Sequence, residues 1–194
     1  MRVLFLDIDG VLNADCDFVK AGGGNKKNAP YLHTDSGIEY MGISQPRVAR
    51  LARIVGETGA KIVLVSSWKP WYEDYVHGRP DDHIGKYLVN SLSRKKLRVF
   101  GTTQRYEGSC LDRVGGIIGW MDAWKASHPE DPIDGYAILD DDDFDYHEYG
   151  LGSHWVRTYF EGASGGLTDE GAGEAIKIIL GDSNNPLEKQ EDPA

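Results

Sequence analysis

Apolar residues run without interruption through "VLFLDI" from Val3, the pattern of a strand buried on both faces. "KIVLVSSW" from Lys61 and "GYAILDDDDFD" from Gly135 repeat it, and "HWVRTYF" from His154 predicts a fourth strand. Between these runs the period changes to that of a helix. Val48, Leu51, Ala52, Ile54 and Val55 share one face, opened by Ser44 and Pro46 and closed near Gly59. Val114, Ile117, Ile118, Met121 and Trp124 mark a second helix that "SHPEDP" ends, and Thr168 caps a third with Ala172, Ala175, Ile176, Ile179 and Leu180 on its apolar face. Buried strands alternating with amphipathic helices predict an α/β fold, a parallel sheet with helices on both faces, as a single domain over residues 1–182. Residues 14–44, with "GGGN" and no sustained period, read as a flap, and residues 69–108, rich in aromatics and charges, as an insertion with a short strand at "KKLRVF". A disordered tail is expected over 183–194, and no large cap domain.

Composition narrows the class. With 194 residues and 40% hydrophobic content, the chain can bury one globular core. No apolar run reaches the length of a membrane span, and acids interrupt the opening stretch where a signal peptide needs an apolar core, so a soluble, cytoplasmic protein is expected. Cys16 and Cys110 are too few and too isolated for a disulfide framework or a zinc site. The net charge of -10 disfavours nonspecific binding to nucleic acid or an anionic membrane, and no obligate protein partner is evident.

What needs explaining is the polar end of each strand. The first run ends on Asp7 and Asp9, the second on Ser66 and Ser67, and the third on Asp140 to Asp143. In parallel sheets ligands bind beyond the carboxyl ends of the strands, so three strands deliver acids or hydroxyls to one edge. Clustered carboxylates repel one another unless a cation sits among them. Mg2+ is the expected ion, since it is held by few carboxylates together with water and a substrate phosphate. Gly10 lets the turn after the first strand come close to a phosphate and offer its N–H. Asp7 is then placed to attack a phosphoryl group, and Asp9 to protonate the leaving oxygen and later activate water.

At these residues the chain resembles the haloacid dehalogenase-like (HAD) superfamily of phosphohydrolases. Asp7, Ile8, Asp9 and Gly10 match the family's Asp-x-Asp-Gly after an apolar strand. The resemblance implies a Rossmann-like core, Ser66 as phosphate ligand with Ser67 as the alternative, and Mg2+ held by Asp7, Asp9, Asp140 and Asp141, with Asp142 and Asp145 open as alternatives by register. It also implies a basic residue that neutralises phosphate and nucleophile. Arg113 occupies that place near the start of a helix, Lys125 lies too near its end, and Lys95 or Lys96 could reach in from the insertion. "FLDIDGVLN", "VSSW", "ILDDD" and the late "GLT" are similar to a subgroup associated with Swiss-army-knife RNA-repair proteins, over roughly residues 1 to 182. That implies a phosphatase of a nucleotide or a polynucleotide terminal phosphate. The alternatives are a phosphatase of a small phosphorylated metabolite, a phosphotransferase, and a non-catalytic module that binds phosphate or an RNA end. A nucleic-acid substrate would have to rely on a few basic residues, Lys26, Lys27, Arg94, Lys95, Lys96 and Arg98.

Several other features have plainer readings. Trp68, Trp71, Tyr72 and Tyr75 are expected to pack the insertion onto the core rather than stack a base. Trp120 and Trp124, four apart, read as core or helix surface, His147 and His154 as structural, and the glycines at 22–24 as a flap hinge.

Overall fold

The computed structural model describes residues 1–20, 31–33, 39–78, 83–104 and 111–181. Among these residues the α-helices and strands follow in order: β1 (Arg2–Leu6), α1 (Asp15–Lys20), β2 (Tyr31–His33), β3 (Glu39–Met41), α2 (Gln45–Thr58), β4 (Lys61–Leu64), α3 (Lys69–His77), α4 (His83–Ser93), β5 (Val99–Thr102), α5 (Leu111–Ser127), β6 (Gly135–Asp140), β7 (Trp155–Arg157) and α6 (Asp169–Leu180). The five-stranded sheet has the order β5-β4-β1-β6-β7, and every neighbouring pair is parallel.

The continuous apolar run of β1 has its explanation in two cores. Leu4 and Leu6 face one cluster, with Val48, Leu51 and Ile54 of α2, Leu88 and Leu92 of α4, and Ala172, Ala175 and Ile179 of α6. Val3 and Phe5 face the other, with Val114 and Ile117 of α5 and Tyr146. Alternate residues of one strand therefore enter opposite cores, and every position from Val3 to Leu6 is apolar. The helix boundaries follow local chemistry. Gly59 ends α2 in the left-handed region at φ 69°, and Thr168 caps α6 by accepting the Gly171 N–H at 3.1 Å.

Residues 69–108, read as an insertion with a short strand, contribute an element to the main sheet. α3 and α4 form a helical pair between strands, while Val99–Thr102 is a strand of the main sheet, pairing Ile62 with Val99 and Leu64 with Thr102. As an edge strand, half exposed along its length, it lacks the apolar run that marks its neighbours. The segment 14–44 contains α1 and the antiparallel pair β2–β3, with Tyr31 opposite Met41. Residues 22–24, Lys26, Lys27, Cys110 and the 183–194 tail lie outside the described residues.

The end of α4 carries a backbone anomaly. The Leu97 N–H donates to Leu92 O at 3.2 Å and the Lys96 N–H to Ser93 O at 2.9 Å, the two bonds of a Schellman motif. The residue that turns left-handed there is Lys96, at φ 60°, where glycine is usual. A side chain in this region costs about 1 kcal/mol or more. Lys96→Gly is accordingly expected to raise the melting temperature by about 2–4 °C in a thermal scan.

Candidate active site

Chain order runs from β1 to β4 and β5 on one side of the sheet and then crosses to β6 on the other, so the topological switch lies between β1 and β6. Both strands end on acids. Asp7 follows directly on β1, with its N–H donating to Leu139 O at 3.0 Å. Asp140 closes β6, and its carbonyl accepts from Thr158 N at 3.0 Å and Trp155 Nε1 at 3.1 Å. Asp7, Asp140 and Asp141 can each bring one carboxylate oxygen to within 4.8 Å of the others. Asp142 and Asp145 stand outside this group. The Asp142 N–H donates to Asp140 Oδ1 at 3.1 Å, and Asp145 turns the loop at φ 58°.

Arg113, in the first turn of α5, puts one nitrogen between two of these acids, 3.0 Å from Asp7 Oδ1 and 2.7 Å from Asp140 Oδ2. The buried phenol of Tyr146 donates to the same Asp140 oxygen at 3.0 Å, and the guanidinium lies over the Phe144 ring. Charge and burial compete here. Burial disfavours the charged guanidinium, yet the carboxylates of Asp7 and Asp140 hold its pKa above the usual value. Burial and then the charge of Asp7 push Asp140 upward against the pull of Arg113. Asp141, less buried, is pushed up to about 6 by burial, Asp7 and Asp142. Three acids facing one arginine leave an excess of negative charge that suits a hard divalent cation, which would favour their ionised forms.

Asp9 is held at both oxygens. Asn13 Nδ2 donates to Oδ1 at 2.8 Å and the indole N–H of Trp68 to Oδ2 at 2.9 Å. Burial raises its pKa, partly offset by the Asn13 hydrogen bond. Gly10, at φ 68°, passes so close to Asp141 that a Cβ there would lie 2.1 Å from its Cγ. Its N–H, expected to face a phosphate, donates to Asn13 Oδ1 at 3.0 Å, and the lack of a side chain gives Asp141 its room. Gly10→Ala is expected to displace Asp141 and weaken any divalent cation held by the three acids tenfold or more, on the order of the losses seen when groups that orient metal ligands are changed. Calorimetric titration with divalent cations checks this.

Ser66 is fully buried at the exit of β4, and its Oγ accepts the Trp68 N–H at 3.2 Å. That is the turn-closing role of a serine, and it leaves the hydroxyl proton available to an acceptor. Ser67 is exposed and hydrogen bonds Asp9. Next along the chain, the buried Lys69 donates to Thr103 Oγ1 at 2.9 Å and Gln104 O at 3.3 Å, tying the start of α3 to the exit of β5.

Asn13, Trp68, Lys69 and Tyr146 are absent from the sequence reading of the site. Asn13 had a local signal, four residues after Asp9 in the same turn, and Lys69 follows "SSW" directly. Trp68 is buried as expected of a packing residue and stands edge-on to Trp71, while its N–H serves Asp9. The alternative cations lie elsewhere. Lys125 is in the last turn of α5, and Arg94 to Arg98 precede β5 at the amino edge of the sheet, about four residues or ~13 Å along the strands from the acids. His154 stacks on Tyr136, and His147 meets Trp155 edge-on. Trp120 packs against Phe5.

A parallel α/β sheet with acids from two strand ends at its switch point, a serine on the next strand and an arginine bridging the acids, is the arrangement of a HAD-type phosphohydrolase. Residues 3–172 match the model of the family described as HAD domain in Swiss Army Knife RNA repair proteins, and the chain belongs to that family. No curated protein matches the sequence. Among solved structures, a hypothetical protein from Xanthomonas campestris is 11% identical with a TM-score of 0.46, covering 98% of this chain and 88% of that one. No helix among the described residues is long and apolar enough to cross a membrane.

Proposed function

We propose that the protein is a Mg2+-dependent phosphomonoesterase that works through an aspartyl-phosphate on Asp7. The observation that carries the reading is the convergence of Asp7, Asp140 and Asp141, the first two paired with Arg113, with Asp9 held two residues from the nucleophile. An Asp7 oxygen attacks phosphorus as the bond to the leaving oxygen breaks, and Asp9, raised in pKa by its burial, gives that oxygen its proton. Asp9 then takes a proton from water, whose oxygen displaces Asp7 from phosphorus and releases inorganic phosphate. Ser66 donates to a phosphoryl oxygen, and Arg113 offsets the charge that gathers on the group. Asp7, Asp140 and Asp141, with the Asp9 carbonyl, are the residues that would hold Mg2+, and the bound ion supplies charge neutralisation at the phosphoryl oxygens.

Membership of an RNA-repair family favours a nucleotide or a polynucleotide terminal phosphate as substrate, with a small phosphorylated metabolite as the alternative. The test is release of inorganic phosphate from nucleotides, oligonucleotides bearing a 3' or 5' phosphate, and sugar phosphates, with Mg2+ and then with chelator. Release that needs Mg2+ supports the reading, and the best substrate names its class. Binding of these esters with no release in Mg2+ would replace it with a non-catalytic module.

A pH dependence follows from Asp141. Its folded pKa of about 6 stands above the ordinary 3.8, so the native state holds the proton more tightly than the unfolded chain. The associated stability is present below about pH 4 and lost as pH rises through about 6. In metal-free protein, Asp141→Asn is expected to gain in melting temperature on wild type between pH 4 and pH 7, and Mg2+ to narrow the gap by stabilising wild type. Thermal scans at the two pH values check it.

A further inference from the structure

At the edge of the sheet opposite the acids lies a cavity of about 560 Å3 between α3, α4 and the start of β5. Its volume falls within the roughly 300–1,000 Å3 typical of small-molecule sites. Leu92 and Leu97 are buried in its wall, Tyr72 is half-buried, and Val76 at its lip is 45% exposed, an apolar side chain left in water. Two cations, Lys96 and Arg98, border it beside Ser93. Arg94, Lys95, Lys96 and Arg98 bring four cations into five positions of a chain whose net charge is -10. Neither Lys96 nor Arg98 forms an ion pair among the described residues. Moreover, Lys96 sits at the left-handed position of the Schellman turn, where its side chain brings backbone strain that glycine would avoid.

We propose that this cavity is a second binding site, for a small amphipathic anion whose apolar body lies against Tyr72, Val76, Leu92 and Leu97 and whose anionic group meets Lys96 and Arg98. Charge complementarity selects the anion, since it gives the exposed Lys96 and Arg98 a partner that a neutral apolar ligand lacks. The apolar wall selects the body, because a purely polar anion would leave Val76 and its neighbours in water. The strained lysine is then part of the site, a charge kept at the mouth at some cost to the fold.

The experiment is calorimetric titration of the full chain with decanoate and with decane-1-sulfonate, each below its micelle concentration. Decan-1-ol and citrate serve as comparators, the first lacking the charge and the second the apolar body. One-to-one saturable binding of a decyl anion is expected, at least tenfold tighter than either comparator. Lys96→Gly and Arg98→Ala should each weaken it severalfold, and together at least tenfold. Lys96→Gly is the decisive variant, because it is expected to melt higher than wild type, so weakened binding cannot come from unfolding. No saturable binding of either decyl anion, equal binding of decan-1-ol, or an unchanged affinity in both variants would overturn the proposal. So would a short oligonucleotide that binds through these cations while the decyl anions do not. None of these outcomes depends on phosphatase activity.

Discussion

Asp7→Asn is expected to lower phosphate release by a factor on the order of 10^4 or more, the scale of loss when a covalent nucleophile is removed. The side chain keeps its shape but loses the charge and the lone-pair basicity that attack on phosphorus requires. The fold should tolerate the change. Asp7 is buried beside two other acids, Asp140 and Asp141, and removing one negative charge relieves repulsion in the metal-free protein. Release of phosphate from the best substrate of the panel, measured beside a thermal scan, separates loss of chemistry from loss of structure. A variant that folds and keeps a tenth of wild-type turnover would show that Asp7 is not the nucleophile.

Arg113→Met acts on both chemistry and stability. The arginine is the only ion-pair partner found for Asp7 and Asp140 among the described residues, at 3.0 and 2.7 Å. Removing one partner of a buried ion pair costs about 3–5 kcal/mol because the remaining charge stays buried. Here Asp140 can escape by taking up a proton. Burial and the charge of Asp7 already push Asp140 upward, and loss of the guanidinium pushes it further. The deficit should therefore be large at pH 8 and smaller at pH 5, as read by urea unfolding of metal-free protein. Turnover should fall by about 10^2–10^3, as when one preorganised charge-stabilising group is lost. Lysine at position 113 should recover part of the turnover, since it restores the charge but not the planar fork. Equal deficits at the two pH values would contradict the ion-pair account.

The sheet was readable because its central strands are buried on both faces. β1, β4 and β6 must be apolar at every core position, so the strand and its polar exit both stand out. Asp7, Asp140 and Asp141 meet because strands that end on acids also end at one edge, and Arg113 follows from its place in the first turn of α5. The strand β5 was harder to place. Four half-exposed residues at a sheet edge carry no continuous apolar signal, and the aromatics before them resemble an inserted segment. Contacts made across the fold were not readable. That the Trp68 indole serves Asp9, fifty-nine positions away, depends on how β4 turns into α3 beside the loop after β1. Tyr146 reaches Asp140 through a six-residue turn whose shape follows from Asp145 at positive φ, which no spacing rule predicts. The basic run at Arg94 to Arg98 looked like a substrate contact in sequence, yet the parallel register carries it to the edge away from the acids.

The most direct test of the account is covalent. Protein mixed in Mg2+ with a phosphate ester labelled at phosphorus, and quenched in acid within one turnover, should carry label on a peptide that contains Asp7. That label should be removed by hydroxylamine, as an acyl phosphate requires, and should be absent from Asp7→Asn. Turnover without label on Asp7, or label persisting in the variant, would contradict the claim that Asp7 carries the phosphoryl group.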